Sequence, residues 1–208
     1  MKVLKTSTLA VVCWSLSIVA VADPDKPRDF QAAPVENAAS GAKVGAAWLR
    51  RSKNSVEGRI MTTVDFAGIP YTVWWVIFNN PAGCIAECGP ADLAADGGAA
   101  ADVAILNASG AISAADGVNG VINFDMSVIG GEGASIGSQV PPPPAADAPP
   151  WNRVLKKNNA RCAEIHLDLN VHANPPSPVN WVSELTFPRP PGNTESFAIF
   201  KPTADCDE

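Results

Sequence analysis

The chain has 208 residues, with 15 lysines and arginines against 21 aspartates and glutamates, a formal net charge of −6 and a hydrophobic fraction of 47%. That acidity argues against nucleic acid or an anionic membrane as the main partner. The apolar fraction is that of a chain with a core to bury, not of a disordered one.

Residues 1–22 read as a cleaved export signal. Lys2 and Lys5 give a basic start, an apolar run begins near Leu9, and Ala20-Val21-Ala22 before Asp23 has the small-x-small form that signal peptidase cuts. The run is shorter than the ~20 residues a membrane-spanning helix needs, and no later stretch supplies such a span. Bulky Val12 before Cys13, and the apolar residues after it, argue against a lipid anchor. The expected location is therefore secreted or periplasmic. Cleavage after Ala22 leaves 13 basic and 21 acidic residues, a net charge of −8, and four of the five cysteines: Cys84, Cys88, Cys162 and Cys206. An even count in an exported chain points to disulfides, with three pairings open. The expected pairs are Cys84 with Cys88 and Cys162 with Cys206. The second pair forms if the strand starting at Cys162 runs antiparallel to the last strand, which sets the start of one beside the end of the other.

Residues 23–45, rich in Pro, Ala and charge without an apolar period, read as a flexible N-terminal segment. Residues 46–203 suit one domain, with 204–208 as a C-terminal tail. Eight segments in that domain have strand character: GAAWLRRS, EGRIMTTVDF, YTVWWVIFN, ADVAILNAS, GVINFDMSVIG, RCAEIHLDLNV, NWVSELTF and SFAIFKP. Turn-forming Gly, Pro and Asn separate them. Only GPADLAAD suggests a helical turn, with Pro90 in its first turn. The proline-rich 138–151 stretch can enter neither a sheet interior nor a helix, so it reads as an extended surface loop. The expected fold is all-β: a single-domain antiparallel β-sandwich or small β-barrel with at most one short helix.

Two strands carry the candidate sites. In YTVWWVIF both faces are apolar, so something covers each side. Trp74 and Trp75 are either packing residues or a stacking platform for a carbohydrate or another flat ligand. In CAEIHLDLNVH the even positions are polar: Cys162, Glu164, His166, Asp168, Asn170 and His172. Glu164, His166 and Asp168 are ligand types for zinc or copper. At roughly 3.3 Å per residue, His166 and His172 stand about 20 Å apart and cannot share an ion on a straight strand. A solvated polar face explains the same pattern. Weaker signals are GASIG at 133–137, where Ser135 lacks the following helix a nucleophile elbow requires; the basic run RVLKKNNAR; and the acceptor motif at Asn107.

YTVWWVIFNNP, the cysteine pair with CGPADL, and AEIHLDLNVHANP together resemble a group of exported bacterial β-rich proteins with no assigned activity, over roughly residues 58–202. The likeness implies a β-rich scaffold with Glu164, His166 and His172 as positions to watch, and no activity comes with it. The function expected from all this is a non-catalytic β-domain with a binding or structural role outside the cytoplasm, acting on an unidentified ligand such as a carbohydrate or an extracellular protein. The alternative is a metal-binding or metal-dependent protein built around Glu164 and His166, and a serine hydrolase is a weaker third.

Overall fold

In a computed structural model the residues described are 29–53, 55–94, 99–113, 122–131, 154–172 and 194–204. The strands are β1 (Asp29–Asn37), β2 (Lys43–Arg51), β3 (Ser55–Val64), β4 (Pro70–Phe78), β5 (Val103–Ile112), β6 (Ile122–Gly131), β7 (Glu164–Val171) and β8 (Thr194–Phe200). A 3-10 turn at Pro81–Gly83 and the single-turn helix α1 (Pro90–Ala94) lie between β4 and β5. The fold is all-β. Its strands form one antiparallel sheet in the order β5-β4-β7-β8-β1-β2-β3-β6, curled as a half-barrel so that the end strands β5 and β6 approach each other.

Curling follows from the pattern of side chains. Strand β3 alternates strictly between buried and exposed, as a strand with one wet face should. Its buried residues Val56, Ile60 and Val64 join Ala47 and Leu49 of β2, Val35 of β1, Ala198 and Phe200 of β8, and Ile165, Leu167 and Leu169 of β7 in one interior. Strand β4 is buried at every position. Tyr71, Val73, Trp75 and Ile77 face that interior, while Trp74, Val76 and Phe78 join a second cluster with Val103 and Ile105 of β5.

The second cluster is roofed by the chain between β4 and β5. Cys84 and Cys88 are disulfide-bonded, as expected, and Cys88, Leu93 and Ala101 pack onto the cluster. Buried Asp92 ties the roof together by accepting from the backbone N–H groups of Ile85 (2.7 Å) and Gly89 (2.8 Å). The turn sits so close to Ala100 that a Cβ at Gly83 would lie 2.1 Å from its carbonyl oxygen. One side of β4 is thus covered by the curled sheet itself and the other by this roof. Cys162 is also disulfide-bonded, and its expected partner Cys206 lies outside the described residues.

One expectation is overturned. The segment read as a flexible lead through residue 45 is ordered strand from Asp29, and β1 sits inside the sheet between β8 and β2. Its inward positions carry Ala33 and Val35, and its place is set by a backbone ladder to β2, which an apolar period does not report. The expected leader, the proline-rich stretch, GASIG, the strand NWVSELTF and the tail at 205–208 lie outside the described residues.

Candidate functional site

Register gathers the polar residues of β7 on the sheet's outer face. Across β4, Glu164 stands beside Phe78, His166 beside Val76, Asp168 beside Trp74 and Asn170 beside Thr72. Across β8, His166 pairs with Ile199 and Asp168 with Phe197. At His166 and Asp168 the polar groups therefore lie between apolar neighbours on both sides, whereas Asn170 lies between Thr72 and Thr194.

Its first end is saturated. Glu164, 3% exposed, is bonded through Oε1 to His166 Nε2 (2.9 Å) and through both carboxylate oxygens to Lys201 Nζ (3.1 Å each). Burial by itself would push the Glu164 carboxyl up, but hydrogen bonds from His166 and Lys201, together with their charges, hold it below the usual range. The His166 ring packs at 4.9 Å, centroid to centroid, on Phe78. The expectation of a solvated face is corrected here: Glu164 and His166 are both buried, with Phe78 of β4 packed on the His166 ring and Lys201 paired with Glu164.

The opposite end carries a hydroxyl and an imidazole. Trp74 Nε1 donates to Thr72 Oγ1 at 2.7 Å, and Thr72 Oγ1 lies 3.1 Å from His172 Nε2. A hydroxyl against an imidazole is the contact of an activated nucleophile. Thr72, however, is wholly buried and its oxygen already accepts from the indole, so it meets no substrate. The motif reading missed this contact because it forms between two strands.

Asp168 stands between these ends. It is partly buried and has no hydrogen-bond partner among the described residues. Burial pushes its carboxyl up to about 6, opposed by the charge of His166. Beside it, Asn170 Oδ1 also has no hydrogen-bond partner among the described residues, and Phe197 is partly exposed.

The other predicted residues fall elsewhere. Trp75 has no exposed surface and faces the interior, and Trp74 is 4% exposed, so neither offers an open stacking face. Among the described residues no group of three or more His, Cys, Asp or Glu side chains is arranged to hold a metal ion, and the Glu164 carboxylate is occupied by Lys201. Asn107 lies buried in β5 opposite Trp74, where a glycan has no room. Within the basic run, Lys156 pairs with Asp102 and Arg161 with Asp29, which disperses its charge. No described helix is long and apolar enough to cross a membrane.

Arg51 was missed by the sequence reading. It lies fully buried at one end of the interior, donating to the carbonyls of Ala160, Ala163, Phe200 and Lys201 at 2.7–2.9 Å and to Gln31 Oε1 at 2.9 Å. Burial draws its pKa down to about 10, opposed by Asp29 and Glu164, so it stays charged at neutral pH. The signal was available: Ala47, Leu49 and Arg51 share one parity on β2.

No family model, no curated protein and no solved structure matches this chain.

Proposed function

We propose that the chain is a non-catalytic binding domain acting outside the cytoplasm, and that it recognises its partner through the outer polar row of β7 at Asp168. The observation that carries this reading is the contrast within the row. Glu164 is neutralised by two partners, whereas Asp168 has none among the described residues and lies beside a partly exposed aromatic ring, Phe197. A carboxylate next to an aromatic face suits a ligand that offers an ammonium group, through an ion pair and a cation–π contact. The acidic balance of the chain favours the same class of partner. A role outside the cytoplasm fits the leader pattern at residues 1–22 and the Cys84–Cys88 disulfide.

Isothermal titration with glucosamine oligomers, used as amine-bearing probes, tests the reading. Binding at pH 7.5 is expected to weaken about tenfold at pH 5, where a carboxyl with a pKa of about 6 is mostly protonated. Asp168→Asn should remove binding without changing the circular dichroism spectrum. Binding that ignores this substitution would sink the assignment to Asp168. Turnover of a general ester, glycoside or peptide substrate that His172→Gln abolishes would sink the non-catalytic reading.

A further inference from the structure

The interior is built in four inward rows across β4, β7 and β8: Tyr71 with Val171; Val73, Leu169 and Ser196; Trp75, Leu167 and Ala198; Ile77, Ile165 and Phe200. Polar groups close both ends. Beyond the last row, Arg51 fills its hydrogen-bonding capacity on four carbonyls and Gln31. At the first row the Tyr71 hydroxyl accepts from the Phe66 N–H at 3.2 Å and lies beside Glu195. Glu195 sits where the β7–β8 register shifts, and its Oε1 accepts from the Asp65 N–H at 3.1 Å. A bulge of this kind re-aims a side chain, here across the end of the curled sheet.

Each of the two middle rows contains one polar side-chain atom, Ser196 Oγ and Trp75 Nε1, and neither has a hydrogen-bond partner among the described residues. Trp75 is 0% exposed and Ser196 1%. An indole N–H can only donate, so it requires an acceptor. A buried donor left unpaired costs on the order of 1–3 kcal/mol, and folded proteins seldom retain one. Two in adjacent inward rows point to a shared requirement. The same buried cluster as Trp75 includes the small side chains of Ala47, Ala104 and Ala198.

We propose that these two rows form an interior binding site for one neutral oxygen atom, which accepts from the Trp75 indole N–H and shares a hydrogen bond with the Ser196 hydroxyl. The oxygen is that of water or of a hydroxyl or carbonyl on a small uncharged molecule. A charged guest is disfavoured, because neither row holds a charged side chain to offset its desolvation. This site is separate from the outer surface at Asp168, so the two readings stand or fall independently.

The test is nuclear magnetic resonance of the isotopically labelled protein, with the Trp75 indole signal identified by its loss in Trp75→Phe, or by sequential assignment should that variant not fold. The indole proton should show a cross-peak either to water or to the carbon-bound protons of a guest. Native mass spectrometry separates these two sources: excess mass identifies an organic guest, and its absence beside a water cross-peak identifies water. Ser196→Ala should shift the Trp75 indole resonance and weaken the cross-peak. An indole proton that contacts neither water nor guest, or whose resonance and cross-peak are unchanged by Ser196→Ala, would overturn the proposal.

Discussion

Arg51 and Trp75 are both fully buried inside the same curled sheet, yet among the described residues only the Arg51 side chain finds hydrogen-bond partners. The outer face repeats the contrast, since Glu164 holds His166 and Lys201 while Asp168, four residues along β7, holds neither. The end of the molecule near Arg51 and Glu164 is thus a saturated polar structure, and its middle is not. Where partners surround a buried polar group, the group ties strands together. Where the described residues supply none, as at Asp168 and Trp75, hydrogen-bonding capacity is left over, and on the proposals above it serves a ligand.

Substitutions should separate the two regions, with the largest effect at the saturated end. Arg51→Met leaves four carbonyls without their donor and is expected to destabilise by about 4 kcal/mol in urea denaturation, the scale seen when one partner of a buried charged network is removed. Glu164→Gln should cost less, about 2 kcal/mol, because Lys201 is half-exposed and regains solvation. The folded-state pKa of Glu164 is lowered, so this contribution is present above the usual glutamate range and is lost as pH falls through the folded value.

Asp168→Asn should act in the opposite direction. Because the folded-state pKa of Asp168 is raised from 3.8 to about 6, both states are protonated in strong acid and the group contributes nothing there. As pH rises the unfolded state ionises first, so stability falls between roughly pH 4 and pH 6 and the penalty then stays constant. The substitution is expected to stabilise by about 2 kcal/mol at pH 7.5 and to be neutral at pH 3, as read from denaturation midpoints at both pH values. Equal effects at the two pH values would erase the distinction between Asp168 and Glu164. At the exposed Arg59–Asp125 pair, Arg59→Ala should leave the midpoint unchanged, since solvent already screens such pairs.

Much of this architecture is legible in the sequence wherever a side chain's parity sets its environment. The two apolar faces of β4 announced two coverings, and the alternation in β7 placed Glu164, His166, Asp168 and His172 on one face. Cys84 and Cys88, four residues apart, announced the clip. What the sequence concealed depends on neighbours distant in the chain. β1 is held by pairing with β2 rather than by its own apolar pattern. Glu164 is buried and paired because Lys201 returns beside it from the end of β8, 37 residues away. Thr72 meets His172 across 100 residues, a contact no local motif encodes. Arg51 follows the charged Arg50 in β2, and only its parity with buried Ala47 and Leu49 marks it as inward.

The most direct test of the central claim is a carboxyl carbon titration of the labelled protein by nuclear magnetic resonance, with and without a glucosamine oligomer. The account predicts that Asp168 titrates near pH 6 and that the oligomer lowers this midpoint while leaving Glu164 below the usual glutamate range. An Asp168 midpoint in the ordinary aspartate range, unmoved by the oligomer, would contradict it.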